Sequence, residues 1–289
     1  MITSQKHSQN SLQAFKPRCL GDMIRLGRAF DGGYIVNERV IPASRYLLSF
    51  GVNDDWSFEA DFLNLKPDVQ ILCFDHSVSR RDLQEKTIDA LNQILSARFI
   101  LGAMTLNFRG VRNKFQALRR AVRLRSDFSK FFSRDNIQFF SKGVSNIEDS
   151  HFVTISEVFH MIPPDQLLEN SVFMKMDIEQ SEFRVLPELL EFEKYLSGMV
   201  IEFHDLDIFW PIFVNVMNQL KANFEVTHLH GNNHLGLIPN SKTPRLLEIT
   251  FLKRSLICGD ELQREAEVYP IPGLDQPNDS SKEDHPLYF

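Results

Sequence analysis

Short apolar runs alternate along this chain with stretches in which apolar residues recur every third or fourth position. Tyr46–Phe50, Val69–Phe74, Ile137–Val144, Val172–Met176 and Gly198–Phe203 are runs of the first kind. Bounded by turn residues, they predict buried strands. Between them, Phe58, Phe62 and Leu65 keep helical spacing. So do Leu83, Ile88, Leu91, Ile94 and Leu95 within 80–95, a stripe read as core packing. Helices are also expected over 156–161 and over 181–196, the latter kinked or restarted at Pro187. Pro211 is expected to open an amphipathic helix with Ile212, Phe213, Val216, Met217 and Leu220 inward. Phe224–His230 and Leu246–Leu252 are late strands with no helix between them, which predicts an antiparallel hairpin at a sheet edge. The pattern is α/β, with a mostly parallel seven-stranded sheet.

In such sheets the chemistry lies beyond the carboxyl ends of the strands. Val172–Met176 runs into Asp177-Ile178-Glu179-Gln180-Ser181-Glu182, and Met199-Val200-Ile201 into Glu202-Phe203-His204-Asp205. The first strand ends in Gly51-Val52-Asn53-Asp54-Asp55, where glycine lets a ligand approach the backbone. The Asp54-Asp55 doublet repels a pyrophosphate and suits an uncharged or cationic ligand. Asp75 ends the second strand about 20 residues further on, where such folds place an acid on ribose hydroxyls; that role is favoured here over a cap on the next helix. Ahead of the sheet, Asp31-Gly32-Gly33 marks a tight turn. It reads first as a hairpin, and alternatively as a loop that brings Arg25, Asp31 or Tyr34 to the ligand.

Composition sharpens this picture. The net charge of −6 over 289 residues makes the whole chain no polyanion binder. Arg109 to Arg134, however, holds nine Lys/Arg against one acid, Asp127, within a helical insertion at about 99–135. There Phe115, Leu118 and Val122 form a stripe, with Arg112, Arg119, Arg120 and Arg123 elsewhere around the helix. It reads as a solvated covering helix, or as a mobile lid (105–134) that attracts an anionic substrate, nucleic acid or lipid. Aromatic–basic interleaving of the RNA-binding kind is absent, so no nucleic-acid partner is expected. Cys19, Cys73 and Cys258 fit a reducing compartment and no zinc motif. A polar start and no membrane-length apolar run point to a cytoplasmic protein. Residues 1–20 read as a mobile arm, 21–258 as the main domain and 259–289 as an acidic tail, wrapped on the surface or mobile.

Lys175-Met176-Asp177-Ile178-Glu179-Gln180-Ser181-Glu182 resembles the Lys-x-Asp-x-Glu-Gly-x-Glu signature of the FkbM-type S-adenosylmethionine-dependent methyltransferases, with Gln180 in place of glycine. Gly51-Val52-Asn53 resembles that family's Gly-Ala-Asn turn, Asp75 its acid after the second strand, and Val200–His204 its fifth strand. The resemblance spans roughly 45–255. Ser49 stands where many methyltransferases carry an acid, and Asp55 replaces a glycine. The resemblance implies a Rossmann-like fold and a cofactor site of Gly51, Asn53, Asp55 and Asp75. It also implies methyl transfer to a hydroxyl of a small molecule or sugar. His204, with Asp177 and Glu202, is then the expected proton acceptor, because imidazole titrates near neutral pH. Asp177, Glu202, His204 and His230 could instead hold a divalent metal such as Mg²⁺. The degenerate first loop also allows a non-catalytic binding module. A nicotinamide dehydrogenase would need a three-glycine fingerprint that is missing.

Overall fold

The structure, a computed structural model, describes residues 11–18, 20–96, 108–258 and 268–289. A hairpin of β1 (Met23–Leu26) and β2 (Tyr34–Asn37) precedes the short helix α1 (Val40–Ala43). Then come β3 (Tyr46–Phe50), α2 (Ser57–Leu65), β4 (Gln70–Phe74) and the long helices α3 (Arg80–Leu95) and α4 (Phe108–Phe131). β5 (Ile137–Phe140), β6 (Gly143–Val144) and β7 (Phe152–Val153) lead into α5 (Ile155–His160). The chain continues through β8 (Val172–Met176), α6 (Glu182–Leu189), β9 (Leu196–Phe203), α7 (Leu206–Leu220), β10 (Phe224–Gly231) and β11 (Leu247–Lys253).

Seven strands form one sheet in the order β10-β11-β9-β8-β3-β4-β5. The run from β9 to β5 is parallel, and β11 is antiparallel to both β9 and β10. This is the Rossmann-like arrangement, closed at one edge by antiparallel strands. Every residue of β3 is buried because helices cover both faces. Alternation along the strand sends Tyr46, Leu48 and Phe50 into one core with Phe159, Leu186 and Phe213. Leu47 enters the other core, with Phe58, Phe62, Leu83 and Phe128. Because β3 pairs with β4 on one side and β8 on the other, Phe50 lies beside both Phe74 and Met176. The chain order reverses there, and the loops after these strands part to leave a crevice.

Several expectations are corrected. The strand expected over Ile137–Val144 breaks after Phe140, and Gly143-Val144 instead pairs in parallel with Phe152-Val153. Pro211 lies inside α7, which starts at Leu206, and Ile212 is exposed. The helix can start early because Asp205 adopts a left-handed conformation (φ 47°) and its carbonyl accepts from the N–H groups of Ile208 and Phe209. In α3 only Leu83 is buried; Ile88, Leu91 and Leu95 face out. The part of the expected arm at 11–18 is anchored, with Leu12 and Phe15 buried, whereas 1–10 and 19 lie outside the described residues. Residues 268–289 pack back on the sheet edge through Tyr269 and Leu287; 259–267 lie outside the described residues. So do 97–107 of the expected insertion and lid. No described helix is long and apolar enough to cross a membrane.

Candidate functional site

The crevice between β3, β4 and β8 is a cleft of about 380 Å³, within the range of small-molecule sites. Gly51, Asn53, Asp75, Ser77, Asp177, Glu179 and Ser181 line it on the polar side, and Phe74, Val144 and Phe152 give it an apolar wall. Among the described residues, none of α4 lines it.

Gly51 has a φ of 77°, and a Cβ there would stand 1.6 Å from the carbonyl oxygen of Asp177. The glycine expected to admit a ligand is therefore required by the backbone of the loop after β8. The buried Lys175 ties the same loop down, donating from Nζ to the Gly51 carbonyl at 2.8 Å. Beneath it, Glu59 of α2 accepts from the Ser49 hydroxyl, so a helix supplies the carboxylate that the strand lacks. Burial raises the pKa of Glu59, partly offset by the charge of Lys175 and the Ser49 hydrogen bond.

Asp75 is buried at the cleft edge. Its Oδ2 accepts from the Asn53 N–H at 2.6 Å, and its Oδ1 accepts from both the N–H and the hydroxyl of Ser77 at 2.6 Å. It does not cap α3; Ser79 does, accepting from the Asp82 N–H. A carboxylate offers about four acceptor positions, so three occupied leave one on Oδ2 for a ligand hydroxyl. Asp55 does not reach the cleft. Its Oδ2 pairs with Arg28 at 3.0 Å, and its Oδ1 accepts from the Ser57 N–H at the start of α2.

Asp177, Glu202 and His204 converge, with one ligand atom from each within 4.8 Å of the others. Tyr34, delivered by the β1–β2 hairpin, bridges the two carboxylates. Its hydroxyl lies 3.0 Å from Asp177 Oδ2 and 3.2 Å from Glu202 Oε2. Burial, then the charges of Asp177 and Glu202, push the Tyr34 pKa well up, so it stays a neutral donor. The other Glu202 oxygen accepts from Asn232 Nδ2 at 2.8 Å. Burial, Asp177 and Glu248 push the Glu202 carboxyl well above its ordinary range.

His204 is held from behind by Glu182 at the start of α6. Glu182 Oε1 accepts the His204 backbone N–H at 2.8 Å and meets Nδ1 at 3.1 Å. Nε2 faces Asp177 Oδ1 at 3.6 Å and Glu179 Oε2 at 3.8 Å. Burial lowers the imidazole pKa, but the Glu182 hydrogen bond and the charges of Glu202, Glu182 and Asp177 outweigh it and bring it up to about 10. At neutral pH His204 is therefore an imidazolium, without the lone pair that a general base needs. The expectation that it titrates near neutrality is corrected by these carboxylates.

His230 stays outside this group. Register places Glu202, Glu248 and His230 side by side across β9, β11 and β10. His230 Nδ1 meets Glu248 Oε2 at 3.3 Å, and Nε2 meets Asp284 of the C-terminal segment at 3.0 Å. These bonds outweigh burial and raise its pKa to about 10 as well. Sequence reasoning missed Glu182, Glu248 and Asn232. For Glu182 the signal was its place just beyond the strand, in a motif that already carried Asp177 and Glu179.

The donor set does not call for a metal. The Tyr34 hydroxyl lies between the two carboxylates, the Asn232 amide occupies the other Glu202 oxygen, and His230 lies outside the group.

No family model matches the chain, and no curated protein matches it. Among solved structures it is similar to the FkbM methyltransferase of Methylobacillus flagellatus, at 13% identity over 72% of this chain and 44% of that one, with a TM-score of 0.34. It is similar to the precorrin-6y C5,15-methyltransferase of Geobacter metallireducens at 12% identity over 74% and 87%, TM-score 0.33. A dimethyladenosine transferase of Plasmodium falciparum shares 7% identity over 78% and 63%, TM-score 0.36.

Proposed function

We propose that this protein is an S-adenosylmethionine-dependent methyltransferase acting on a hydroxyl of a small molecule or sugar. The observation that carries this reading is the cleft at the switch point. Its lining joins the apolar side chains of Phe74, Val144 and Phe152 to the carboxylates of Asp75, Asp177 and Glu179. These residues fit the cofactor in chemistry. Phe74, Val144 and Phe152 suit an adenine face, and Asp75 has one acceptor position left for a ribose hydroxyl. Asp177 and Glu179 suit a sulfonium cation. When bound, the cofactor supplies an electrophilic methyl group.

The protein's part is positioning and proton transfer. Asp177 is the cleft carboxylate best placed to take the acceptor's proton, since it both lines the cleft and touches the buried cluster. Tyr34 and the His204 imidazolium orient it from opposite sides, through Oδ2 and Oδ1. Glu202 completes the cluster behind them, with Tyr34 at one of its oxygens and the Asn232 amide at the other. Gly51 and Asn53 shape the loop that carries Asp75's partner, and Asp55 has no part in the cofactor site.

Titration calorimetry with S-adenosylmethionine tests the reading. Binding that Asp75→Asn weakens supports it. A folded protein that binds no S-adenosylmethionine would make the chain a non-catalytic module. Release of S-adenosylhomocysteine on adding a sugar panel then separates an enzyme from a cofactor-binding remnant.

A further inference from the structure

We propose that the α3–α4 helical pair docks this protein on the surface of an anionic lipid bilayer. The Thr87 hydroxyl of α3 donates to the Ala121 carbonyl of α4 at 3.5 Å, and Lys114 Nζ donates to the Gln93 carbonyl at 3.2 Å. The two helices therefore run antiparallel. Thr87, Ala90 and Ile94 on α3, and Lys114 and Ala121 on α4, are half-buried and mark the line of contact. The residue after each of these turns about 100° further around its helix. Those residues are Ile88, Leu91 and Leu95 on α3, and Phe115 and Val122 on α4. In antiparallel helices the same rotation carries both sets to one side of the pair. All five are exposed, from 44% for Leu91 to 64% for Leu95. They form an apolar strip on a helical pair that contributes nothing to the lining of the cleft.

Charge indicates what covers the strip. Arg112 and Arg119 stand three residues before and four after Phe115, on the same face of α4. The segment from Arg109 to Arg134 holds nine cations and one acid in a chain whose net charge is −6. Positive charge is thus concentrated beside exposed aliphatic side chains, which is the makeup of helices that lie in the interface of anionic membranes. A single-stranded nucleic acid would call for stacking aromatics among the cations, and four of these five residues are aliphatic. Since α3 starts just after Asp75 and Ser77, a bilayer holding the pair would keep the cleft close to the lipid surface. The proposal does not depend on methyl transfer.

Co-sedimentation with vesicles tests it. The protein should bind phosphatidylcholine vesicles that contain phosphatidylglycerol, should not bind pure phosphatidylcholine, and should be released as salt rises. Arg112→Gln with Arg119→Gln should lower partitioning roughly fivefold per cation removed. Leu91→Ser with Leu95→Ser should lower it as well, and an unchanged urea midpoint would show that either variant is folded. Absence of binding to the anionic vesicles at low salt would overturn the proposal, as would binding that both variants leave unchanged. Two further results would overturn it: tighter binding to an RNA oligonucleotide than to the vesicles, or a dimer in solution that Leu91→Ser with Leu95→Ser dissociates.

Discussion

Replacing Glu182 by Gln decides whether His204 is a cation or a base. Glu182 is fully buried, and one of its oxygens serves both the backbone N–H and the ring Nδ1 of His204. Gln keeps the shape and can still accept through its carbonyl, but it brings no charge. Moving an imidazole pKa from 6.5 to about 10 corresponds to an upper figure of about 5 kcal/mol favouring the imidazolium. The charge-assisted hydrogen bond from Glu182 accounts for about 1.5–3 kcal/mol of that. Its loss should lower the His204 pKa by about one to two, leaving it still above the ordinary value. The folded-state pKa is raised, so the stability it contributes is fully present below about pH 6.5 and is lost as pH rises toward 10. In Glu182→Gln that contribution is smaller and its loss ends at a lower pH. Imidazole nitrogen shifts measured by NMR across a pH series give the pKa directly, and urea denaturation at about pH 6 and about pH 9 gives the linked stability. A pKa that Glu182→Gln leaves in place would refute the clamp, and a wild-type His204 that titrates near 6.5 would return it as the general base.

Asp75→Asn should weaken S-adenosylmethionine binding by about 1–3 kcal/mol in calorimetry, and unchanged affinity in a folded variant would remove Asp75 from the cofactor site. Gly51→Ala should cost more than about 4 kcal/mol in urea denaturation, because its Cβ would overlap the Asp177 carbonyl at 1.6 Å in a backbone with φ 77°; a loss below about 1 kcal/mol would mean that the two loops do not meet. Asp177→Asn should lower turnover by roughly a hundredfold or more, and activity near wild type would show that another group takes the proton. Treatment with a chelator should leave activity intact; its loss, restored by Mg²⁺, would bring back the metal reading.

What could be read in the chain was whatever depends on neighbours in sequence. The apolar runs and their acidic ends predicted β3, β4, β8 and β9 and the edge they share, because strand period and turn residues are local. Topology then brought Asp177, Glu202 and His204 together. Features that depend on register or on long-range packing were hidden. Glu248 lies across from Glu202 only because β11 pairs antiparallel with β9, and a one-residue slip would send it to the opposite face. Arg25, Asp31 and Tyr34 were all open as ligand contacts; none of them lines the cleft, and the hairpin's packing sets Tyr34 on Asp177 and Glu202 instead. The stripe of Ile88, Leu91 and Leu95 misled because an exposed stripe and a core-facing stripe share one period, and only the packing of the helix tells them apart. The crowding at Gly51 was hidden as well, since the backbone that meets it lies about 125 residues away in sequence.

His204 shows how far residue identity falls short of chemistry. Acidic neighbours in the sequence made it attractive as a base. A single carboxylate at Nδ1 would make imidazole a better base, as an orienting acid does in a catalytic triad. Here the fold sets Glu182 at Nδ1, Asp177 and Glu179 at Nε2, and Glu202 nearby, all around a ring shielded from water. Each added charge raises the proton affinity further, until the ring holds its proton throughout the neutral range. The surplus of carboxylates that recommended His204 for proton removal is thus what prevents it. On the reading proposed above, proton removal falls to Asp177, which lines the cleft and faces that cation.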